Sequence, residues 1–180
     1  MSLSTVKLKI LESMFLEDRP ARAALIAKDS GNEFRVAMMH LLDLTRKGYV
    51  FSPEKGLYAI TDKGKKALSP MEITVDKARE LVGPLPREKA FHFYTAIEKP
   101  LGVYAYGLQD FVDKVQKVDV NSLEFHICRG DFENWFTCIG DAELGKKMAL
   151  LKDKNLCGEE LRQKLTVLVE SRCMALSAMT

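Results

Sequence analysis

An α+β chain in two modules is the expectation from three observations. Apolar residues recur at helical spacing through residues 3–47 and are followed by two β-prone tetrads. Residues 90–176 read as strand, helix, strand and then helices. Between them the charge balance changes sign near residue 70, and a Pro-rich break, GPLPRE, occupies 83–88. A chain of 180 residues has room for one domain or two compact ones. Its 47 % apolar and 29 % charged residues are those of an ordinary folded protein, which excludes a disordered or low-complexity one.

The first module is built from short elements with local start and stop signals. Leu3, Val6, Ile10 and Met14 place helix one at 3–16. Asp18 is the expected cap of a second helix over 19–29, with Pro20 in its tolerant first turn. Ser30-Gly31-Asn32 is turn chemistry. Helix three spans roughly 32–47, with Phe34, Ala37, Met38, Leu41 and Leu44 expected to face a core and Gly48 ending it. YVFS, PEKG and LYAI then read as a β-hairpin. Thr61 caps a fourth helix, TDKGKKAL, and Pro70 closes the module.

In the second module, MEITVDKARELVG at 71–83 is expected to be a connecting helix. The module proper then starts near Lys89. AFHFYTAI at 90–97 reads as a strand, EKPLG as a turn, and 104–118 contains a helix with Leu108, Phe111, Val112 and Val115 on one face. NSLEFHICR at 121–129 reads as a second strand, so 90–129 forms a candidate right-handed parallel crossover. A turn and short helix at 130–141 and two further helices complete it. In the last helix Leu161, Leu165, Leu168, Val169, Cys173 and Leu176 form an apolar stripe that suits either its own domain or a second copy of the chain.

Two stretches carry a resemblance. LTRKGYV at 44–50 and LYAITDKGKKAL at 57–68, in the order helix, helix, helix, ribbon, helix, resemble the winged-helix DNA-binding domain of archaeal and bacterial transcriptional regulators. In that family the equivalents of Leu44 and Gly48 close the third helix against the first strand. Those of Tyr58, Thr61 and Gly64 end the wing and begin the next helix. FHFYT at 91–95 with SLEFHICRGDFENW at 122–135 resembles a small, mainly archaeal domain family of unknown function, which brings no catalytic residue with it. The fold expected is therefore a winged helix-turn-helix over 1–69, a connector over 70–88, and a small α/β domain over 89–180 with few strands and several helices.

Charge and chemistry then give expectations about function. The net charge of +2 divides into +4 over 1–69, from 12 Lys and Arg against 8 Asp and Glu, and −2 over 70–180. A winged helix places its third helix in the major groove and its wing on the backbone. Asn32, Arg35 and His40 are the base-edge or phosphate candidates, with Arg35 suited to guanine. Arg19, Arg22, Lys55, Lys63, Lys65 and Lys66 are the phosphate candidates. Glu33 and Asp43 lie on the same surface and repel phosphate, and the lysines also read as a solvated face. The expectation is a DNA-binding transcriptional regulator, dimeric on double-stranded DNA, whose second domain senses an effector or dimerises. A protein-interaction adaptor is the alternative, and small-molecule binding or enzymatic activity in the second domain is another.

In the second domain His92, Tyr94, His126, Arg129, Asp131 and Trp135 form a candidate pocket for a small anion or metabolite. A purely structural reading has Asp131 as a helix cap and Arg129 paired to an acid. A metal site from His92, His126 and Asp131 lacks ligand spacing, so no metal is expected. No phosphate-loop, dinucleotide, hydrolase-elbow or zinc-protease motif occurs, so neither a cofactor nor catalysis is expected. Cys128 and His126, two apart on a strand, would share a face. Cys128, Cys138, Cys157 and Cys173 contain no C-x-x-C pair and read as small buried hydrophobes. The longest stretch without Asp, Glu, Lys or Arg, Pro100 to Gln109, is too short to span a bilayer, and MSLSTVKLKI carries no signal-peptide core. A cytoplasmic protein without a membrane partner is the expectation.

Overall fold

The computed structural model describes residues 3–69 and 72–180. Among these are ten α-helices, a short 3-10 turn and two small antiparallel sheets, so the chain is α+β. It divides into two compact units, Met1–Glu72 and Ile73–Thr180. No helix among the described residues is long and apolar enough to cross a membrane. Pro70, expected to close the first module, and Met71, at the start of the expected connecting helix, lie outside the described residues.

In the first unit α1 spans Thr5–Glu17 and buries Ile10, Leu11, Met14, Phe15 and Leu16. Asp18 does not cap the next helix. It sits at φ 50° and closes α1, its N–H donating to the Met14 carbonyl. The second helix is shorter than expected because the chain after Pro20 is extended. Ala21–Arg22 (β1) pairs with Leu57–Tyr58 before α2 begins at Ala23 and runs to Asp29. Pro20 biases Arg19 away from helix, and the ladder offered by a distant strand then captures the next two residues.

α3, Phe34–Arg46, faces the core with Ala37, Leu41 and Leu44. Phe34 is a correction: it is 56 % exposed, because as the first helical residue it lies beyond the edge of the core. Gly48 at φ 74° ends the helix, with the Tyr49 N–H returning to the Leu44 carbonyl. β2, Val50–Phe51, and β3, Leu57–Ile60, make the hairpin, so the sheet order is β1-β3-β2.

α4, Asp62–Leu68, starts on Thr61, whose Oγ1 accepts from the Gly64 N–H and donates to the Gly48 carbonyl. This helix rests on the end of α3 at very short range. A β-carbon on Gly64 would overlap the Tyr49 carbonyl oxygen and lie 2.6 Å from Ile60 Cγ1. A helical Gly→Ala change ordinarily gains about 1 kcal/mol. Here the clash is with backbone, so Gly64→Ala is expected to cost about 1–3 kcal/mol, read as a lower melting point of the first unit by circular dichroism.

The second unit opens with α5, Val75–Val82, capped by Thr74 and packed on the last helix rather than standing alone as a connector. β4, Phe91–Ala96, and β5, Lys99–Ala105, form an antiparallel hairpin around Ile97-Glu98. The expected turn EKPLG is thus mostly strand. Pro100 is accommodated because a two-stranded sheet has only edge strands. α6 is Leu108–Val115, and Phe111 and Val115 are buried on it as expected.

Residues 121–129 are not a strand. α7, Val120–Arg129, is capped by the Asp119 carboxylate and ended by Gly130 at φ 78°. Leu123, Phe125 and Ile127 read as an alternation, but the burial follows Leu123, His126 and Ile127, a helical i, i+3, i+4 set. No parallel crossover therefore exists in 90–129, and the unit is a hairpin covered by helices rather than an α/β module.

α8, Asp131–Ile139, starts on Gly130, not on Asp131 as cap. α9, Ala142–Lys152, and α10, Gly158–Ser177, complete the unit. The α10 stripe Leu161, Leu165, Leu168, Val169 and Leu176 is buried against α5, α6, α7 and α9 of the same unit. Arg162 fastens it by donating to the carbonyl of Val115 at the end of α6 and, at 2.9 Å, to that of Val118 beyond it.

The cysteines also differ from expectation. Cys128, Cys138 and Cys157 are exposed, and only Cys173 is partly buried. Burial, with Asp141 and Glu170 nearby, pushes the Cys173 thiol up to about 11. On a helix, residues two apart point in different directions, so exposed Cys128 and buried His126 do not share a face.

Candidate functional site

In the first unit, the structure separates the expected cations into two groups. Arg19 pairs with Glu17, Lys65 with Asp18 at 2.8 Å, and Lys66 with Glu72. Lys63 donates to the Lys47 carbonyl and lies 4.6 Å above the Tyr49 ring. Asn32 is held in its turn, its Nδ2 donating to the carbonyl and Oγ of Ser30. His40 is partly buried on α3. Arg22, Arg35 and Lys55 are exposed and without a protein partner among the described residues. Arg22 and Lys55 line one groove of about 530 Å³ with Phe34, Met38, Glu54 and Tyr58, and Arg35 follows Phe34 in the first turn of α3.

Two features alter the electrostatics of this surface. Asp43, expected to repel phosphate, is bonded by Lys7 at 2.6 Å and Lys47 at 2.9 Å, which hold its carboxyl down at about 2. The N-terminus of α3 carries no side-chain cap, so the first-turn amides and the positive end of the helix dipole face outward. The face of α3 away from the core presents Met39 and Leu42, both exposed, between Arg35 and Arg46. Phe51 on β2 is exposed as well.

In the second unit His92, Tyr94, His126, Arg129 and Asp131 come together around a pocket of about 330 Å³ between β4 and the C-terminal half of α7. Trp135 does not join them. Its Nε1 donates to the Lys89 carbonyl at 2.8 Å, and its ring packs in the aromatic core. The rest of the lining was not singled out in the sequence. Phe91, Ala96, Ile97 and Glu98 come from β4 and the hairpin tip, and Phe125 from α7. The signal for Ile97 is its place in the two-residue turn Ile97-Glu98, where an exposed isoleucine contributes nothing to a core. The turn expected at EKPLG begins one residue later and leaves Ile97 on the strand.

His126 organises the polar side. The Tyr94 N–H points at Nε2 at 2.8 Å, and an amide can only donate, so Nε2 accepts and Nδ1 carries the proton. Nδ1 donates to Asp131 Oδ2 at 2.7 Å. The same oxygen accepts from Arg129 Nε at 3.2 Å, and the guanidinium lies 5.1 Å over the Phe125 ring. Both nitrogens of His126 are occupied, which leaves it no lone pair for proton abstraction. Among the described residues, both terminal nitrogens of Arg129 are without a partner.

Burial drives the His126 pKa below its ordinary value despite the Asp131 contact. The folded unit therefore holds a neutral ring where the unfolded chain takes a proton near ~6.5. Protons bind preferentially to the unfolded state, so stability should fall as pH drops through that value and hold above it. An NMR titration of the His126 ring should place its midpoint below ~6.5.

Among the described residues no group of three or more His, Cys, Asp or Glu is placed to hold a metal ion. The chain matches no protein-family model, no curated protein and no solved structure.

Proposed function

We propose that the first unit is a winged helix that binds double-stranded DNA, with the chain acting as a dimeric transcriptional regulator and the second unit as its effector-binding part. The observation that carries this reading is the set of exposed cations Arg22, Arg35 and Lys55, without a partner among the described residues, around the uncapped start of α3 and the β2–β3 turn. Exposed amides at a helix N-terminus beside guanidinium and ammonium groups suit a phosphate. The order of elements and the Thr61–Gly48 junction agree with the winged-helix resemblance. The α10 stripe is spent within its own unit, so pairing falls to exposed apolar side chains outside it, Val75 and Val82 on α5 or Val167 and Met174 on α10.

Fluorescence anisotropy with genomic DNA fragments at low and moderate salt tests the reading. Affinity should fall as salt rises. Arg35→Glu should weaken sequence preference, and Lys55→Glu should weaken binding to all sequences. Absence of any salt-dependent binding would sink it. Exposed Met39 and Leu42 on α3 favour a second reading, in which this surface meets a protein. Loss of DNA binding on Met39→Asp is not expected under that alternative, since DNA would not bind at all.

A further inference from the structure

The β4–α7 pocket joins three features. Its walls are apolar and aromatic, from Phe91, Tyr94, Ile97 and Phe125. At about 330 Å³ it lies at the small end of ligand pockets, which run from ~300 to ~1,000 Å³. Its one cation is oriented on two sides, with Arg129 Nε bonded to Asp131 and the face of the guanidinium set over Phe125. Asp131 is in turn fixed by His126, and His126 by the backbone of β4. A guanidinium arranged in this way loses little freedom on binding, and its two terminal N–H groups remain for a planar acceptor pair.

We propose that this pocket binds a small carboxylic acid with an apolar body, the carboxylate on the Arg129 terminal nitrogens and the body against Phe91, Tyr94, Ile97 and Phe125. The oriented donors of Arg129 and the apolar walls favour this class. Asp131 already offsets the guanidinium and Glu98 adds a second carboxylate, so the lining opposes a phosphate dianion more than a monoanion, and a carboxylate is held there by the directed terminal N–H pair of Arg129 rather than by excess positive charge. Asp131 is not a ready seat for a cation, because its Oδ2 already accepts from His126 and Arg129. Catalysis is not part of the proposal, since His126 has no unoccupied nitrogen. The exposed Ile97 at the hairpin tip gains a role as the apolar wall of the mouth.

This inference names the ligand class for the effector role given to the second unit. It is tested on the whole chain without DNA, so its failure and a failure of DNA binding are separate results. Benzoate, 3-phenylpropionate and 4-methylvalerate are titrated by calorimetry, alongside 3-phenylpropanol and inorganic phosphate. The fluorescence of Trp135, the single tryptophan, is followed in parallel, because its ring lies 5.3 Å from that of Phe91 in the pocket wall.

At least one acid should bind saturably, and at least about tenfold more tightly than the alcohol, the weight of a charged hydrogen bond. Phosphate should not bind. Arg129→Gln should bring the acid down to the level of the alcohol. Because Arg129 also touches Asp131, Ile97→Asp serves as a second variant that leaves that pair intact, and it too should weaken the acid. The proposal is overturned if no acid binds saturably up to about 10 mM. Equal binding of acid and alcohol, or binding unchanged in both variants, also overturns it.

Discussion

Arg172→Leu should destabilise the second unit by about 3–5 kcal/mol, the cost of removing one partner from a buried ion pair. Arg172 on α10 donates to both carboxylate oxygens of Asp141, at 2.9 and 3.1 Å, and to Glu143 at 2.6 Å. Glu143 also pairs with Lys147 at 3.0 Å. Asp141 and Lys147 are both fully buried. Two cations and two carboxylates thus meet between the start of α9 and α10. Without the guanidinium, Asp141, still accepting from the Leu144 N–H as the α9 cap, stays buried and loses both of its bonds to Arg172. Arg172→Lys should recover only part of the loss, because an ammonium cannot present the planar fork that spans both acids. Urea unfolding followed by Trp135 reports the second unit alone. A cost below about 1 kcal/mol, the value of an exposed pair, would show that water reaches the cluster.

Phe111→Ala is expected to cost a similar amount, about 3–5 kcal/mol. Phe111 is fully buried, and its ring lies 5.2–5.8 Å from those of Phe91, Phe93, Phe132, Trp135 and Phe136. These rings come from both β4 and α8, so the side chain joins the hairpin to the helices that cover it. Its removal leaves a void among rigid rings that cannot close without moving Phe91 and Trp135. Trp135 emission in the native state should shift along with the urea midpoint, and an unchanged midpoint would contradict this packing.

The elements most legible in the sequence are those with their own punctuation. Thr61 caps α4 and Gly48 ends α3 as read, because each acts through hydrogen bonds within three or four residues. The α10 stripe was legible for the same reason, since a 20-residue helix repeats its pattern often enough to be unambiguous. α7 was not legible as a helix. Over nine residues, apolar positions at 123, 125 and 127 satisfy a strand pattern, and only packing against β4 shows that His126 occupies the buried place of Phe125. The short β1 had no signal of its own, since two residues become a strand only when β3 is beside them.

The candidate pocket was partly legible. His126, Arg129 and Asp131 stood out as a dense polar group, and the structure does bring them together. Their hydrogen-bond roles were not legible. Asp131 receives a histidine and an arginine rather than capping a helix, and Trp135 turns away to a backbone carbonyl. The basic surface of the first unit shows the same limit. Its +4 charge is in the sequence, yet which cations keep an unshared charge depends on whether Asp18, Glu17 or Glu72 lies in reach.

By itself the sequence determined the α+β class, the end of α3 at Gly48 and the start of α4 at Thr61, and the contrast of a basic front with a slightly acidic back. These are local or additive properties, set by side chains acting on their own turn of backbone. Only the tertiary structure decided which charges are buried and which strands pair. It alone put an isoleucine from a hairpin tip beside an arginine from a helix end. Each of those outcomes depends on groups far apart in the chain, and burial changes the energy of a charge far more than its neighbours in sequence do.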